Sequence, residues 1–370
     1  MKLDNALLQP TLVDDVPLSN RVVVAPMSRV STAGDGVPTA TMAAYYAEYA
    51  RGGFGLVISE GTYTDHAHSQ AYSNQPAIVT GEQVRGWTRV VDAVHDAGGR
   101  VFLQLMHAGA LVQGNNHRDV AVAPSAIQPK GRKLAGYGGE GGYDMPREMT
   151  REDIDEAVAG FASSAARART AGFDGVEVHA ANGYLLDQFI TSYTNQRTDR
   201  YGGGAQDRVR LAVEVLRAIH EAVGNDFPVG IRLSQVKVND TDYRWDGPEE
   251  AETIFKGLAS AKPAYVHVSS EGADWDETSF LAPGISITGV ARRVIGAPVI
   301  ANGRIDADLG ERLLSEGHAD LISLGHAALA NPDWPNRLAS GEPFEEFDEG
   351  LLVPEVTIEN SQRWRELQRA

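Results

Sequence analysis

The sequence predicts an α/β fold of the (β/α)8 TIM-barrel class, a parallel eight-stranded barrel with an N-terminal cap and a long loop after the third strand. Three observations predict it. Eight short apolar runs alternate with eight stretches of helical spacing over 370 residues, a length that suits one elaborated barrel. No Gly-x-Gly-x-x-Gly follows the first run, which counts against the runner-up, a doubly wound sheet. No short-period repeat and no low-complexity linker divides the chain, so residues 1–370 are expected to form a single domain.

Residues 1–19 carry short apolar pieces, Val13, Val16 and Leu18, around Asp14-Asp15 and read as a small cap. The first strand is expected over 21–26, stopped by Pro26. Met42, Tyr45, Tyr46 and Tyr49 give a helix over 39–51, closed by Gly52-Gly53. A second strand (55–60) precedes an amphipathic helix (82–97) and a third strand (100–106). Residues 109–147 are rich in Gly and Pro and lack a period. A structureless stretch of that length inside a compact domain is usually functional, such as a lid. Thr150 with Asp153 three residues on starts a helix running to about Thr170.

The fourth strand, 174–178, is β-branched and puts His179 at its C-terminal end. After Gly183 the spacing turns helical through Leu185, Leu186 and Phe189. Further strands follow at 228–233, 264–269, 297–301 and 319–324. They alternate with helices at 208–223, 248–261 (Pro248 in its first turn), 285–295 and 307–316. Shorter helical pieces lie around Ala327 and 334–338.

A net charge of −17 and a pI near 5.0 argue against nucleic acid or an anionic membrane as partner. The absence of cysteine excludes disulfides, iron–sulfur clusters and thiol nucleophiles. The opening Met-Lys-Leu-Asp-Asn has no apolar h-region, and no segment approaches the roughly 20 apolar residues of a membrane span. A cytoplasmic protein is the expectation. His66 and His68 lack a supporting carboxylate constellation, so no metal site is assigned; these two, His95, His107 and His117 are read as structural or surface residues.

In a βα-barrel the functional face is where strand C-termini open. There the fourth strand delivers His179, Asn182 and Tyr184 within six residues. Two hydrogen-bond donors and a phenol suit polarising a carbonyl and then delivering a proton. On these residues alone a capping Asn, a packed His and an interface Tyr are the favoured alternative. Period-2 alternation puts Phe102, Gln104 and Met106 on one face, and Glu177 with His179 on another. Gln104, Glu177 and Arg232 are polar groups in apolar runs and need partners. A structural network is the better reading for Glu177. Gln104 and Arg232 at the mouth also suit a planar, hydrogen-bonding, anionic ligand. The turns Asn302-Gly303-Arg304 and Gly325-His326 follow the seventh and eighth strands, where barrels often bind phosphate. A phosphate beside a polar planar ring suggests flavin mononucleotide.

The chain also resembles the Old Yellow Enzyme family of FMN-dependent ene-reductases, from Asn20-Arg-Val-Val-Val-Ala-Pro-Met27 to Asn331-Pro-Asp-Trp334. Between them lie Asp35-Gly-Val-Pro38, Tyr45-Tyr46, Glu60-Gly61, Phe102-Leu-Gln-Leu-Met-His-Ala-Gly109 and Ala123-Pro-Ser-Ala126. His179-Ala-Ala-Asn-Gly-Tyr184 and Asn195-Gln-Arg-Thr-Asp-Arg-Tyr-Gly-Gly203 are the most specific parts.

The resemblance implies non-covalent FMN at the barrel mouth and NADPH or NADH as reductant. Ala25, Pro26, Met27, Ser28 and Gly61 would lie along the ring, Gln104 at its pyrimidine end and Arg232 at its N1/O2 edge. Gly303, Arg304, Gly325 and His326 would surround the phosphate. His179 and Asn182 would bind the carbonyl or nitro oxygen of a small electrophilic alkene. Tyr184 would be the general acid, a phenol with an unperturbed pKa of about 10 that is protonated at neutral pH. The family commonly has Arg where this chain has Ala110 and His326, Thr or Cys where it has Ser28, and in some members Tyr where it has Val30. Trp275, Tyr137 and Tyr143 sit on mouth loops and either line substrate or pack. The competing functions are a flavin dehydrogenase acting on an unrelated natural product, a flavin-binding protein without turnover, and a non-redox phosphate-binding barrel such as an aldolase. A protein that stays colourless with FMN would favour the last.

Overall fold

The computed structural model describes residues 5–270 and 272–369. The first four residues, on which the expectation of no leader rests in part, lie outside the described residues. Eight parallel strands form the barrel: β1 (Val22–Val24), β2 (Leu56–Ile58), β3 (Val101–Met106), β4 (Gly175–Asn182), β5 (Val229–Lys237), β6 (Val266–Val268), β7 (Val299–Asn302) and β8 (Leu321–Leu324). Each pairs with the next, and β8 returns to β1 through Ser323 opposite Val23, so the ring closes. The fold is therefore the expected (β/α)8 barrel.

Eight principal helices pack outside: α1 (Ala40–Arg51), α2 (Gly81–Asp96), α3 (Arg151–Ala171), α4 (Arg210–Val223), α5 (Gly247–Ala259), α6 (Ile287–Ile295), α7 (Ala307–Ser315) and α8 (Trp334–Ser340). Their starts follow local chemistry. The Thr80 and Thr150 hydroxyls accept from the backbone of Gln83 and Asp153, whose side chains return the bond. Among the described residues no helix is long and apolar enough to cross a membrane.

The cap is an antiparallel hairpin, Thr11–Val13 with Val16–Leu18. Val13 and Leu18 join Val23, Leu56, Phe102, Tyr265 and Ile300 in an apolar floor. Two glycines make room for its rings. A Cβ on Gly175 would stand 2.7 Å from the Phe102 ring, and one on Gly230 would stand 2.1 Å from Tyr265. Above the floor the interior turns polar. Glu177 accepts from Gln104 Nε2 (2.8 Å) and Tyr265 Oη (3.0 Å) and lies 2.9 Å from His267 Nδ1. Burial works against its carboxylate, but His267, Arg232 and Gln104 outweigh it and hold the group below its ordinary range. Glu177 is thus structural, as expected.

Two strands are longer than their apolar runs. β4 continues past Val178 to Asn182, because Lys237 at the end of β5 pairs with Asn182 across an irregular register. Helix α6 starts later than expected, since Ile285 and Ser286 pair with Phe280–Ala282 instead. Residues 109–147 hold only the strand Val122–Ala123, which pairs with Arg147–Glu148, and a 3₁₀ turn at Ala135–Tyr137. A C-terminal helix, Ile358–Arg369, has no counterpart among the sequence expectations. The buried Arg29 anchors its start, donating to Val356 O and Thr357 O, each at 2.7 Å.

Candidate active site at the barrel mouth

The C-terminal ends of the strands surround a cavity of about 650 Å³, well inside the roughly 300–1,000 Å³ of small-molecule sites. Ala25, Pro26, Met27 and Ser28 leave β1 along one wall, and Gln104 and Arg232 face it from β3 and β5. His179, Asn182 and Tyr184 form a second side, while Arg304, Gly325 and His326 stand at the far end. Gly61 and Gly303, expected against the cofactor, are not on the wall. A Cβ on Gly61 would meet Met106 Sδ at 2.4 Å, and one on Gly303 would meet the Ser270 side chain at 2.7 Å. Both glycines serve close packing behind the wall.

His179 is 5 % exposed, and its Nδ1 accepts from the Ala181 N–H at 3.3 Å. Burial, reinforced by the Arg232 charge, pushes its pKa from 6.5 down to about 3. The ring is therefore neutral at physiological pH, and with Nδ1 accepting, its one proton sits on Nε2.

Asn182 ends β4 at a positive φ of 64°, a conformation Asn tolerates better than most residues. Its backbone N–H donates to Ser234 Oγ (2.8 Å) and its Nδ2 to Ser269 Oγ (3.5 Å). Beneath the following turn lies a buried ion pair. Lys237 Nζ donates to Asp187 Oδ1 at 2.6 Å, and Asp187 Oδ2 accepts from the Gly183 N–H at 2.6 Å. This anchors the loop that carries Asn182 and Tyr184. The Tyr184 ring packs edge-on to His179, centroids 5.0 Å apart, and its hydroxyl lies 2.5 Å from that of Tyr72.

Arg232 Nη2 donates to Ser269 Oγ at 2.9 Å, and Ser269 donates to Asn302 Oδ1 at 3.4 Å. Gln104 spends one N–H on Glu177, leaving its amide oxygen and second N–H for a ligand. This donor set fits a flat, hydrogen-bonding, anionic ring. At the other end the His326 imidazole lies flat on Phe347, centroids 4.0 Å apart. Burial, then the Arg304 charge, push its pKa below the ordinary value, with Glu349 opposing. His326 therefore brings one N–H donor to that end without a fixed charge.

Tyr137 reaches the cavity wall from the long loop, whereas Trp275 and Tyr143 are buried in packing. None of His66, His68, His95, His107 and His117 lines the cavity, and Ala110 lies off it as well. Sequence reasoning missed Tyr72, Ser269, Phe347 and the 344–356 segment. Ser269 was within reach of the strand-end rule, standing one residue past β6. Tyr72 and Phe347 carry no periodic signal.

The family model described as the NADH:flavin oxidoreductase / NADH oxidase family matches residues 6–345. The chain belongs to the Old Yellow Enzyme family. It is 35% identical over 350 residues to a probable flavin mononucleotide-dependent alkene reductase of Leishmania infantum, covering 93% of each chain. It is 33% identical to the putative 12-oxophytodienoate reductase 2 of Oryza sativa subsp. japonica, covering 95% of this chain and 92% of that one. Among solved structures, the old yellow enzyme homologue of Zymomonas mobilis superposes with a TM-score of 0.85 at 32% identity, covering 95% and 97% of the two chains. Morphinone reductase in complex with tetrahydroNAD gives 0.83 at 33%, covering 94% of each. This Old Yellow Enzyme is thus an FMN-dependent oxidoreductase that takes its electrons from NAD(P)H. That removes the non-redox barrel from the competing functions.

Proposed function

We propose that this enzyme reduces the activated C=C bond of α,β-unsaturated carbonyl or nitro compounds, with His179, Asn182 and Tyr184 as the groups that act on substrate. The observation that carries the reading is that His179 and Asn182 both line the mouth, with His179 Nδ1 taken by the Ala181 N–H so that Nε2 is the nitrogen left for a ligand. Relatives named as alkene and morphinone reductases support the reaction class.

When bound, FMN supplies the hydride, drawn from NAD(P)H, that is delivered to the alkene β-carbon. Gln104 and Arg232 would hold its ring against the Ala25–Ser28 wall, and Gly325, His326 and Arg304 would face its phosphate. His179 Nε2–H and Asn182 Nδ2–H would hold the substrate oxygen. Negative charge grows on that oxygen as the β-carbon gains hydride, so donors fixed in advance bind the transition state more tightly than the ground state. Tyr184 would then protonate the α-carbon.

The test uses purified protein with FMN, reduced anaerobically by NADH and by NADPH and then mixed with 2-cyclohexenone and a nitroalkene. The expected result is bleaching of the yellow colour by a nicotinamide and its return with the alkene. Bleaching without return would leave the flavin dehydrogenase reading in its place.

A further inference from the structure

Tyr184 is 6 % exposed, and the mechanism asks it to give up a proton in a site that water barely reaches. A phenolate left alone in such surroundings costs far more than in water, and a hydrogen bond to a charged oxygen is the strong kind. The structure sets a second phenol against that oxygen. Tyr72, 112 residues earlier in the chain, places its hydroxyl 2.5 Å from the Tyr184 hydroxyl. The Tyr72 ring is held by a stack against Tyr137 of the long loop, centroids 4.4 Å apart at 19°.

We propose that Tyr72 is a positioning residue for the general acid: its hydroxyl donates to the Tyr184 oxygen, aims the Tyr184 proton at the substrate and stabilises the phenolate formed on transfer. The inference rests on the reading of Tyr184 as proton donor. The direction of the bond follows from the step itself. In the transfer the Tyr184 O–H bond breaks, the enolate electron pair forms the new C–H bond at the α-carbon, and the negative charge passes to the Tyr184 oxygen. While the Tyr184 proton points at carbon, its oxygen is left to accept, and the hydrogen on the 2.5 Å line must be that of Tyr72. Burial, reinforced by Tyr184 and Tyr137, lifts the Tyr72 pKa well above 10, so Tyr72 keeps its proton throughout the working range. The product phenolate regains its proton from water once the product has left.

The other ionisable groups facing the pair leave it as the acid. His179, edge-on to Tyr184, is neutral; Tyr137 and Tyr143 are phenols; Lys237 and Asp187 beneath the loop are bonded to each other. Tyr72 contributes by hydrogen bonding, and that makes its role separable from packing.

The experiment compares wild type, Tyr72→Phe and Tyr184→Phe as FMN-loaded enzymes, measuring flavin reduction by NADPH and reoxidation by 2-cyclohexenone across pH. For Tyr72→Phe, the ratio of reoxidation to reduction rate is expected to fall on the order of 10- to 100-fold, the worth of one hydrogen bond to a charged oxygen. Its alkaline limb of reoxidation should also move to higher pH, because a less stabilised phenolate makes a weaker acid. An unchanged ratio, or a lowered ratio with an unmoved limb, overturns the proposal in favour of packing alone. If Tyr184→Phe itself leaves the ratio unchanged, the proton-donor reading fails first. Should Tyr72→Phe not fold, Tyr72→3-fluorotyrosine keeps the shape and strengthens the donor. The limb should then move to lower pH, and an unmoved limb overturns the proposal.

Discussion

His179 and His107 show how one residue type is set to two tasks by where its lone pair points. Both are buried and both accept a backbone N–H on Nδ1, from Ala181 and from Gly109. His179 opens its other nitrogen to the cavity, whereas His107 turns Nε2 toward Asp65, 4.0 Å away. Burial pushes the His107 pKa down to about 4. Between pH 6.5 and about 4 the unfolded chain therefore binds a proton that the native state refuses, and stability falls as pH falls through that window. His107→Asn should flatten the dependence of the urea midpoint on pH there. An unchanged slope would mean that His107 is protonated in the native state. At the far end of the cavity the neutral His326 occupies a place where a fixed charge would suit a phosphate. His326→Arg should tighten FMN binding by about tenfold, read by flavin fluorescence, because a guanidinium bonds phosphate through a charged fork. Equal affinity would show that the phosphate end does not rest on this side chain.

The elements around the mouth owe their geometry to contacts that local spacing does not encode. All eight strands were legible as apolar runs, and the start of α3 as a Thr150–Asp153 cap, because burial and capping leave local marks. The C-terminal extension of β4 was not. Residues 180–182 are Ala-Ala-Asn, without β-branching, and they are held extended by pairing with β5. The helix Ile358–Arg369 was missed for the converse reason: its anchor, Arg29, lies more than three hundred residues away. The loop carrying Asn182 and Tyr184 depends on the Asp187–Lys237 pair, both side chains at most 2% exposed. Lys237→Met strands a buried carboxylate and should cost about 3–5 kcal/mol by chemical denaturation. Adding Asp187→Asn should recover a large part of that loss. A double variant no more stable than the single one would mean that the lysine contributes packing rather than charge.

At the scale of the molecule, the barrel gathers onto one face groups that the chain scatters from Ala25 to His326, and the strand-end rule made most of them legible. Twelve of the fourteen residues expected at the site line the cavity, the exceptions being Gly61 and Gly303, where a glycine marked tight packing rather than contact. Tyr72 stayed hidden because the groups it meets, the Tyr184 hydroxyl and the Tyr137 ring, lie far along the chain from it. The closed barrel, the buried ion pair and the Glu177 network hold the mouth fixed, so donors aimed at a growing negative charge need not reorganise during reaction. That preorganisation is the central claim, and reoxidation of the NADPH-reduced enzyme by 2-cyclohexenone tests it most directly. His179→Ala should slow that half-reaction by about 10²- to 10³-fold, as loss of one preorganised donor does elsewhere. A variant that reoxidises as fast as wild type would contradict the account.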